Sequence, residues 1–186
     1  MLTALRPLPV SAGDSVLVPA GTPHAIGAGI LLVELQEPTD FSVLMEFGEF
    51  GLGGDDSVHL GLGWERALEA LDTSGWDESR LAEMVSRPRP VGERPGAFSI
   101  LPAAADPYFR AERLLPDPVV ELDPGFSIVV VLRGSGVLAA GDGRELPVAR
   151  GTTLLIPHAA GPCRLGGELE AVRCRPADPA AGEGEW

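Results

Sequence analysis

Gly13-Asp-Ser-Val-Leu-Val-Pro19-Ala-Gly21 and Gly151-Thr-Thr-Leu-Leu-Ile-Pro157-His-Ala159 are two copies of one pattern: a glycine, five residues ending in an apolar run, and a proline. Glycine turns the chain where a side chain would clash, the apolar run suits a buried strand, and proline, lacking an N–H, ends ladder pairing before an ordered loop. A repeated strand-and-loop unit predicts two similar β-barrels. Before the second copy stands an apolar strand pair, Phe126 to Leu132 and Val137 to Ala140, around Arg133-Gly-Ser-Gly. The first copy has only a short stretch before it, so the first barrel is expected to lack its opening strands.

Working outward, residues 15 to 47 read as short strands broken by Gly and Pro: Ser15 to Val18, Ala25 and Ile26, Ile30 to Gln36, and Phe41 to Phe47. From Trp64 the period changes. Trp64, Ala67, Leu68 and Leu71 fall at helical spacing, and Asp77 to Ser86 repeats it with Leu81, Met84 and Val85. Pro88, Pro90 and Pro95 close that stretch, and strands resume at 97–101, 119–122, 127–132, 136–139 and 152–156.

Composition agrees with a mainly β chain. Of 186 residues, 24 are Gly and 18 Pro, too many breakers for a helix bundle, while 45% hydrophobic residues argue against disorder. The net charge of −13, with no basic stripe, argues against a nucleic acid or an anionic membrane surface as partner. All the basic residues are Arg, which excludes lysine chemistry. Cys163 and Cys174 form no CxxC pair, and no run approaches the length of a membrane helix, so a soluble protein of the reducing cytoplasm is expected.

The spacing Gly13-x5-Pro19-x-Gly21-x2-His24 is that of a conserved cupin motif, from double-stranded β-helix barrels in which this histidine commonly binds a metal. Extended through Val18-Pro-Ala-Gly-Thr-Pro-His24-Ala-Ile-Gly-Ala-Gly-Ile-Leu-Leu-Val-Glu34-Leu-Gln36-Glu-Pro-Thr-Asp40, the stretch closely resembles type I mannose-6-phosphate isomerases, zinc-dependent aldose–ketose isomerases. The resemblance implies a cupin fold of one partial and one complete barrel joined by a short helical linker. Residues 1–62 would be the closing strands of the catalytic-type cupin, 63–96 the linker, 97–178 a metal-free C-terminal barrel and 179–186 a tail. It places His24 on the family's last zinc ligand and Glu34 on an acidic residue of the substrate pocket. The remaining ligands, a Gln-x-His pair and a Glu, belong to strands upstream, and no Gln-x-His occurs here. Leu44 stands where the family carries an arginine thought to act on substrate.

Read from the residues alone, isomerising an aldose needs polarisation of the carbonyl oxygen and a base that moves a proton between C1 and C2, and His and Glu suit both tasks. If Gly27-Ala28-Gly29 is a hairpin turn, strand alternation puts His24, Leu32, Glu34 and Gln36 on one face. Each residue also has a plainer reading. His24 could only tie down its loop, Glu34 could be a solvated edge carboxylate, and Gln36 a structural hydrogen-bonding residue. His59, in Asp55-Asp56-Ser-Val-His59, is a candidate metal ligand or part of loop and capping chemistry.

Between Arg6 and Arg66 there is no Arg or Lys, so the phosphate of a sugar phosphate would need cations or amides from elsewhere, and a neutral sugar suits the segment equally. Two functions follow: a zinc-dependent hexose-phosphate isomerase, or a non-catalytic cupin module binding a neutral sugar or a partner chain. A homodimer through the incomplete barrel is the expected assembly under a third reading, each chain lending strands to the other.

Overall fold

Alternation decides where the core lies. The computed structural model describes residues 5–37, 41–48 and 55–177, so the 179–186 tail and Asp40 lie outside the described residues. In chain order the elements are strand β1 (Ser15–Val16), helices α1 (Asp55–Val58), α2 (Trp64–Ala67) and α3 (Glu78–Met84), then strands β2 (Val85–Ser86), β3 (Arg89–Pro90), β4 (Ala97–Ser99), β5 (Phe109–Leu114), β6 (Val119–Leu122), β7 (Ser127–Ala139), β8 (Glu145–Ala149), β9 (Thr153–Ile156) and β10 (Cys163–Pro176). Eight of these strands form one antiparallel sheet, ordered β3-β4-β5-β10-β7-β8, with β6 also on β10 and β9 also on β7.

The two long strands curl this sheet. β10 pairs with β6 through Cys163–Gly166 and with β5 through Ala171–Pro176, while β7 pairs with β9 at its start and β8 at its end. Alternate side chains from all of them, including Leu114, Val120, Leu122, Val129, Leu138 and Leu165, meet in one buried cluster. The result is a mainly β, cupin-type barrel, as the strand pattern and the resemblance led one to expect.

Arg133-Gly-Ser-Gly, read from sequence as a turn between two strands, lies inside the single strand β7. Here β7 bends and crosses close to β10, where the β7–β10 register slips at Glu170/Ala171. Gly134 has φ 74°, and a Cβ there would overlap the Glu168 carbonyl. The glycines permit close approach of two strands rather than reversal of one. β5, β8 and β10 have no counterpart in the sequence reading, because charged residues interrupt the apolar period of β5 and β10 and Pro147 lies within the short β8.

The helical stretch is close to its expected place. Asp77 caps α3, its Oδ1 accepting the Arg80 N–H at 2.8 Å. The Trp64–Leu71 pattern gives one α turn followed by a 3-10 turn at Leu68–Ala70. One strand, β3, adds to the barrel's edge from within the stretch read as linker. No helix among the described residues is long and apolar enough to cross a membrane.

The first sixty residues differ most from expectation. Among the described residues there, only β1 pairs, with β2, by Ser15↔Ser86 and Val16↔Val85. Residues 25–26, 30–36 and 41–47, expected as strands, run without ladder pairing among the described residues. A strand is defined by its neighbour, and among the described residues no neighbouring strand lies alongside these segments. The segment is nonetheless anchored. Leu17, 2% exposed, packs with Leu101, Ala105, Ala111 and Val172, joined by Leu35 and Met84. Ala111 and Val172 alternate with core-facing Glu112 and Ala171, so Leu17 sits on the outside of the β5–β10 surface.

Candidate functional site

Pro19-Ala-Gly21 leads the chain round a turn in which the Thr22 N–H donates to the Pro19 carbonyl at 3.2 Å. Gly21, φ 75°, lies against the 70–72 backbone; its carbonyl accepts the Asp72 N–H at 2.8 Å, and a Cβ would meet the Ala70 carbonyl oxygen at 2.5 Å. This turn presents His24. Its Nδ1 lies 2.9 Å from the Thr22 carbonyl, which can only accept, so Nδ1 carries the proton. In the tautomer this bond selects, the lone pair is on Nε2, and the side chain is exposed. A carbonyl bonded to one ring nitrogen while the other stays available is the arrangement that prepares an imidazole for a metal.

The other candidates are not gathered around it. Glu34 and Gln36 are exposed on the segment that follows, which joins no strand ladder among the described residues, and no hydrogen bond or ion pair joins His24 to Glu34. The one-face arrangement of His24, Leu32, Glu34 and Gln36 depended on a hairpin, and that hairpin's strands do not form. Leu44 is exposed, its N–H donating to Val58. Among the described residues no three His, Cys, Asp or Glu side chains come together as a metal site. A catalytic zinc wants about three protein ligands, so these residues do not by themselves fit that ion.

His59 has a different environment. It is 5% exposed, its Nδ1 accepts the Gly63 N–H at 3.2 Å, and its ring meets Trp64 edge-on at 5.4 Å, with Phe47 stacked on Trp64 at 6.2 Å. Asp56 Oδ1 is 3.8 Å from Nε2. This geometry closes the 59–63 turn and fills a small aromatic cluster. A groove along Pro90, Gly92, Arg94, Pro95, Gly96 and Phe98 includes none of the four candidates.

Sequence reasoning missed the most tightly organised charged group. Arg173 is 1% exposed. Its guanidinium donates to Ser127 Oγ at 3.2 Å, to Asp123 Oδ1 and the Asp123 carbonyl at 2.7 Å each, and to Glu112 at 3.4 Å. Arg175 reaches Asp123 Oδ2 at 2.6 Å, and Arg94 forks onto Glu112 and Asp123. Burial alone would raise the Asp123 carboxyl, but the Arg173 and Arg175 hydrogen bonds and charges overcome it and lower it to about 2. Burial is overcome likewise at Glu112, held below its ordinary range chiefly by Arg94. Three guanidiniums thus close one end of the barrel interior over two carboxylates. The only signal in the sequence is the alternation Arg173-Cys-Arg175, which puts both arginines on the core face.

Cys163 and Cys174 lie on one strand, β10, on opposite faces of the sheet. Both thiols are free, and burial raises both, Cys174 to about 11. His158, which follows the proline of the second motif copy, is exposed, and so is Pro162, the residue at the position matching His24.

The sheet gives a mainly β protein with a cupin-type barrel fold. The chain is similar to the mannose-6-phosphate isomerases. It is 25% identical over 175 residues to the mannose-6-phosphate isomerase of Streptococcus mutans, a match taking in 90% of this chain and 50% of that protein. The chain thus spans about half the length of the curated relative it matches. Solved structures with a similar fold include the mannose 6-phosphate isomerase of Bacillus subtilis, 17% identical over 60% of this chain and 33% of that one, with TM-score 0.45. The Salmonella typhimurium enzyme, bound to fructose 6-phosphate as substrate and to zinc, is 14% identical over 61% of this chain and 27% of its own, with TM-score 0.48. No family model matches the chain. The resemblance first read from residues 13–40 is therefore borne out.

Proposed function

We propose that this chain is part of an aldose–ketose isomerase acting on a hexose 6-phosphate, a cytoplasmic enzyme of carbohydrate metabolism in which His24 contributes one metal ligand and Glu34 a pocket carboxylate. The observation that carries this reading is the His24 imidazole, tethered through Nδ1 and open at Nε2, at the ligand position of a motif shared with the isomerases. In such a reaction Glu34 would take the proton from one of the two carbons, C1 or C2, and return it to the other. The ligands beyond His24, and the cations for the phosphate, belong on this reading to the half of the isomerase that the chain does not span. Neither a nucleic acid nor a membrane surface is a partner on this reading.

The test is bound zinc in the purified chain, measured by elemental analysis beside His24→Ala. Near one zinc per chain, lost in the variant, supports a metal site here and sends the protein to an isomerase assay; no zinc in the chain, alone or joined with the missing half, sinks the zinc-dependent reading.

A second reading has its own support. The lack of a three-ligand cluster among the described residues, and of any Arg or Lys between Arg6 and Arg66, favours a non-catalytic cupin module that binds a neutral sugar or a partner chain. Calorimetry with mannose against mannose 6-phosphate separates the two: this module binds the neutral sugar and the isomerase the phosphate ester.

A further inference from the structure

The arginine cluster at the closed end of the barrel has more donors than its acceptors can serve. Three guanidiniums, of Arg94, Arg173 and Arg175, meet two carboxylates, of Glu112 and Asp123, so the group keeps one positive charge uncompensated. Asp123 Oδ1 accepts from all three arginines at once, at 3.1 Å from Arg94, 2.7 Å from Arg173 and 3.2 Å from Arg175. Even so, Arg175 Nε is buried without a hydrogen-bond partner among the described residues, on a side chain only 9% exposed. A buried N–H left unpaired beside surplus positive charge costs stability, and an acceptor of higher charge would relieve both.

The cluster is also reachable from solvent. Asp123 stands in the turn between β6 and β7, and its side chain is 42% exposed, the most of the five. Arg94 lines the groove of about 490 Å³ that runs along Pro90, Pro95 and Phe98 beside the exposed Glu93. A groove with apolar walls and a guanidinium among its lining suits a small molecule carrying one strongly charged group.

We propose that this end of the barrel binds a small phosphate monoester, whose phosphate takes the place of the Asp123 carboxylate on Arg94 and Arg175 while its uncharged part lies along Pro90, Pro95 and Phe98. Asp123 itself shows that the three guanidiniums are arranged for an oxyanion. Charge chooses the class of ligand: exchanging one carboxylate for a phosphate monoester, with about two negative charges at neutral pH, removes the surplus, whereas a carboxylic acid would leave it. The site is separate from the isomerase reading, since none of His24, Glu34, Gln36 and His59 lines the groove or joins the cluster.

The probes are phenyl phosphate, inorganic phosphate and benzoate, titrated into the 186-residue chain at neutral pH and constant ionic strength, with calorimetry and thermal midpoints as readouts. Phenyl phosphate should bind one per chain and raise the midpoint saturably, with inorganic phosphate weaker and benzoate weaker still. Asp123→Asn, which removes the competing charge, should tighten phenyl phosphate by about tenfold, and Arg94→Gln should weaken it by about as much, with circular dichroism unchanged in both. Hydrogen exchange should slow at residues 93–98 and 123–126 when the ester binds. Should Arg94→Gln fail to fold, Phe98→Ala removes only a wall of the groove and should bring phenyl phosphate down to the affinity of inorganic phosphate. No binding of phenyl phosphate overturns the proposal. Binding that neither Asp123→Asn nor a groove variant changes also overturns it, by marking an adventitious ion only. Benzoate binding as tightly as phenyl phosphate overturns the choice of a dianion and gives the site to a carboxylic acid.

Discussion

In both copies of the glycine–proline motif the glycine takes a left-handed φ, 96° at Gly13 and 87° at Gly151. In both, the next residue's side chain accepts a backbone N–H three positions earlier, Ser11 to Asp14 at 2.7 Å and Ala149 to Thr152 at 3.0 Å. In both, the proline carbonyl accepts an N–H three residues on, from Thr22 at 3.2 Å and Ala160 at 3.0 Å. Between these matching turns the copies part. Thr153–Ile156 is a four-residue strand on β7 with Ile156 in the barrel core, whereas Ser15–Val16 pairs with the short β2 and Leu17 packs on the barrel's outer surface. Local chemistry makes the same turns twice, and the presence of a long neighbouring strand decides which copy joins the barrel sheet.

That contrast predicts two levels of stability. Arg173→Ala, which leaves two carboxylates facing each other at the closed end of the barrel with one fewer cation, should have the largest effect, about 3–5 kcal/mol by chemical denaturation. Leu165→Ala, in the second copy's core, should cost about 2–5 kcal/mol and lower the midpoint of the whole barrel. A much smaller loss at both sites would mean the barrel is not the stable half.

Acid should act on the same end of the barrel. Asp123 lies at about 2 against an ordinary 3.8, and Glu112 below its ordinary 4.5. Their folded values are depressed, so the stability they contribute is present above the ordinary values and is lost as pH falls from about 4.5 towards 2. Thermal midpoints of the wild type and Arg173→Ala, compared across that window, should converge. Parallel curves would show that the three arginines do not set these carboxylates.

Smaller effects probe the first copy. Leu17→Ala should cost about 2 kcal/mol, the low end for a buried leucine, and free the first sixty residues while the barrel's own transition stays near its place. Hydrogen exchange in the wild type should already show lower protection over residues 1–62 than over 97–175; equal protection would erase the difference between the copies. The smallest effect should come from His24→Ala, within about 0.5 kcal/mol in melting, because the exposed ring's one hydrogen bond is to a carbonyl two residues away. A large drop would make His24 a structural residue.

Much of this was legible in the residues because it depends on near neighbours in the chain. Positive φ at Gly13 and Gly151, the Asp77 cap, strand Val119–Leu122 and the cupin spacing through His24 each follow from a few consecutive side chains and their backbone preferences. The tether on His24, two residues long, is equally local. What the sequence could not reveal depends on groups brought from far along the chain. Residues 30–36 have every apolar mark of a strand, yet join no ladder among the described residues, because strand formation requires a second backbone at hydrogen-bonding distance. Arg133-Gly-Ser-Gly reads as a turn until β10 crosses it, and Arg173 reads as a surface charge until Asp123 and Glu112 are folded against it from the other strands. Glycine geometry and capping are short-range energies that any tertiary setting preserves, whereas pairing, burial and charge compensation are fixed by which distant segments share the same space.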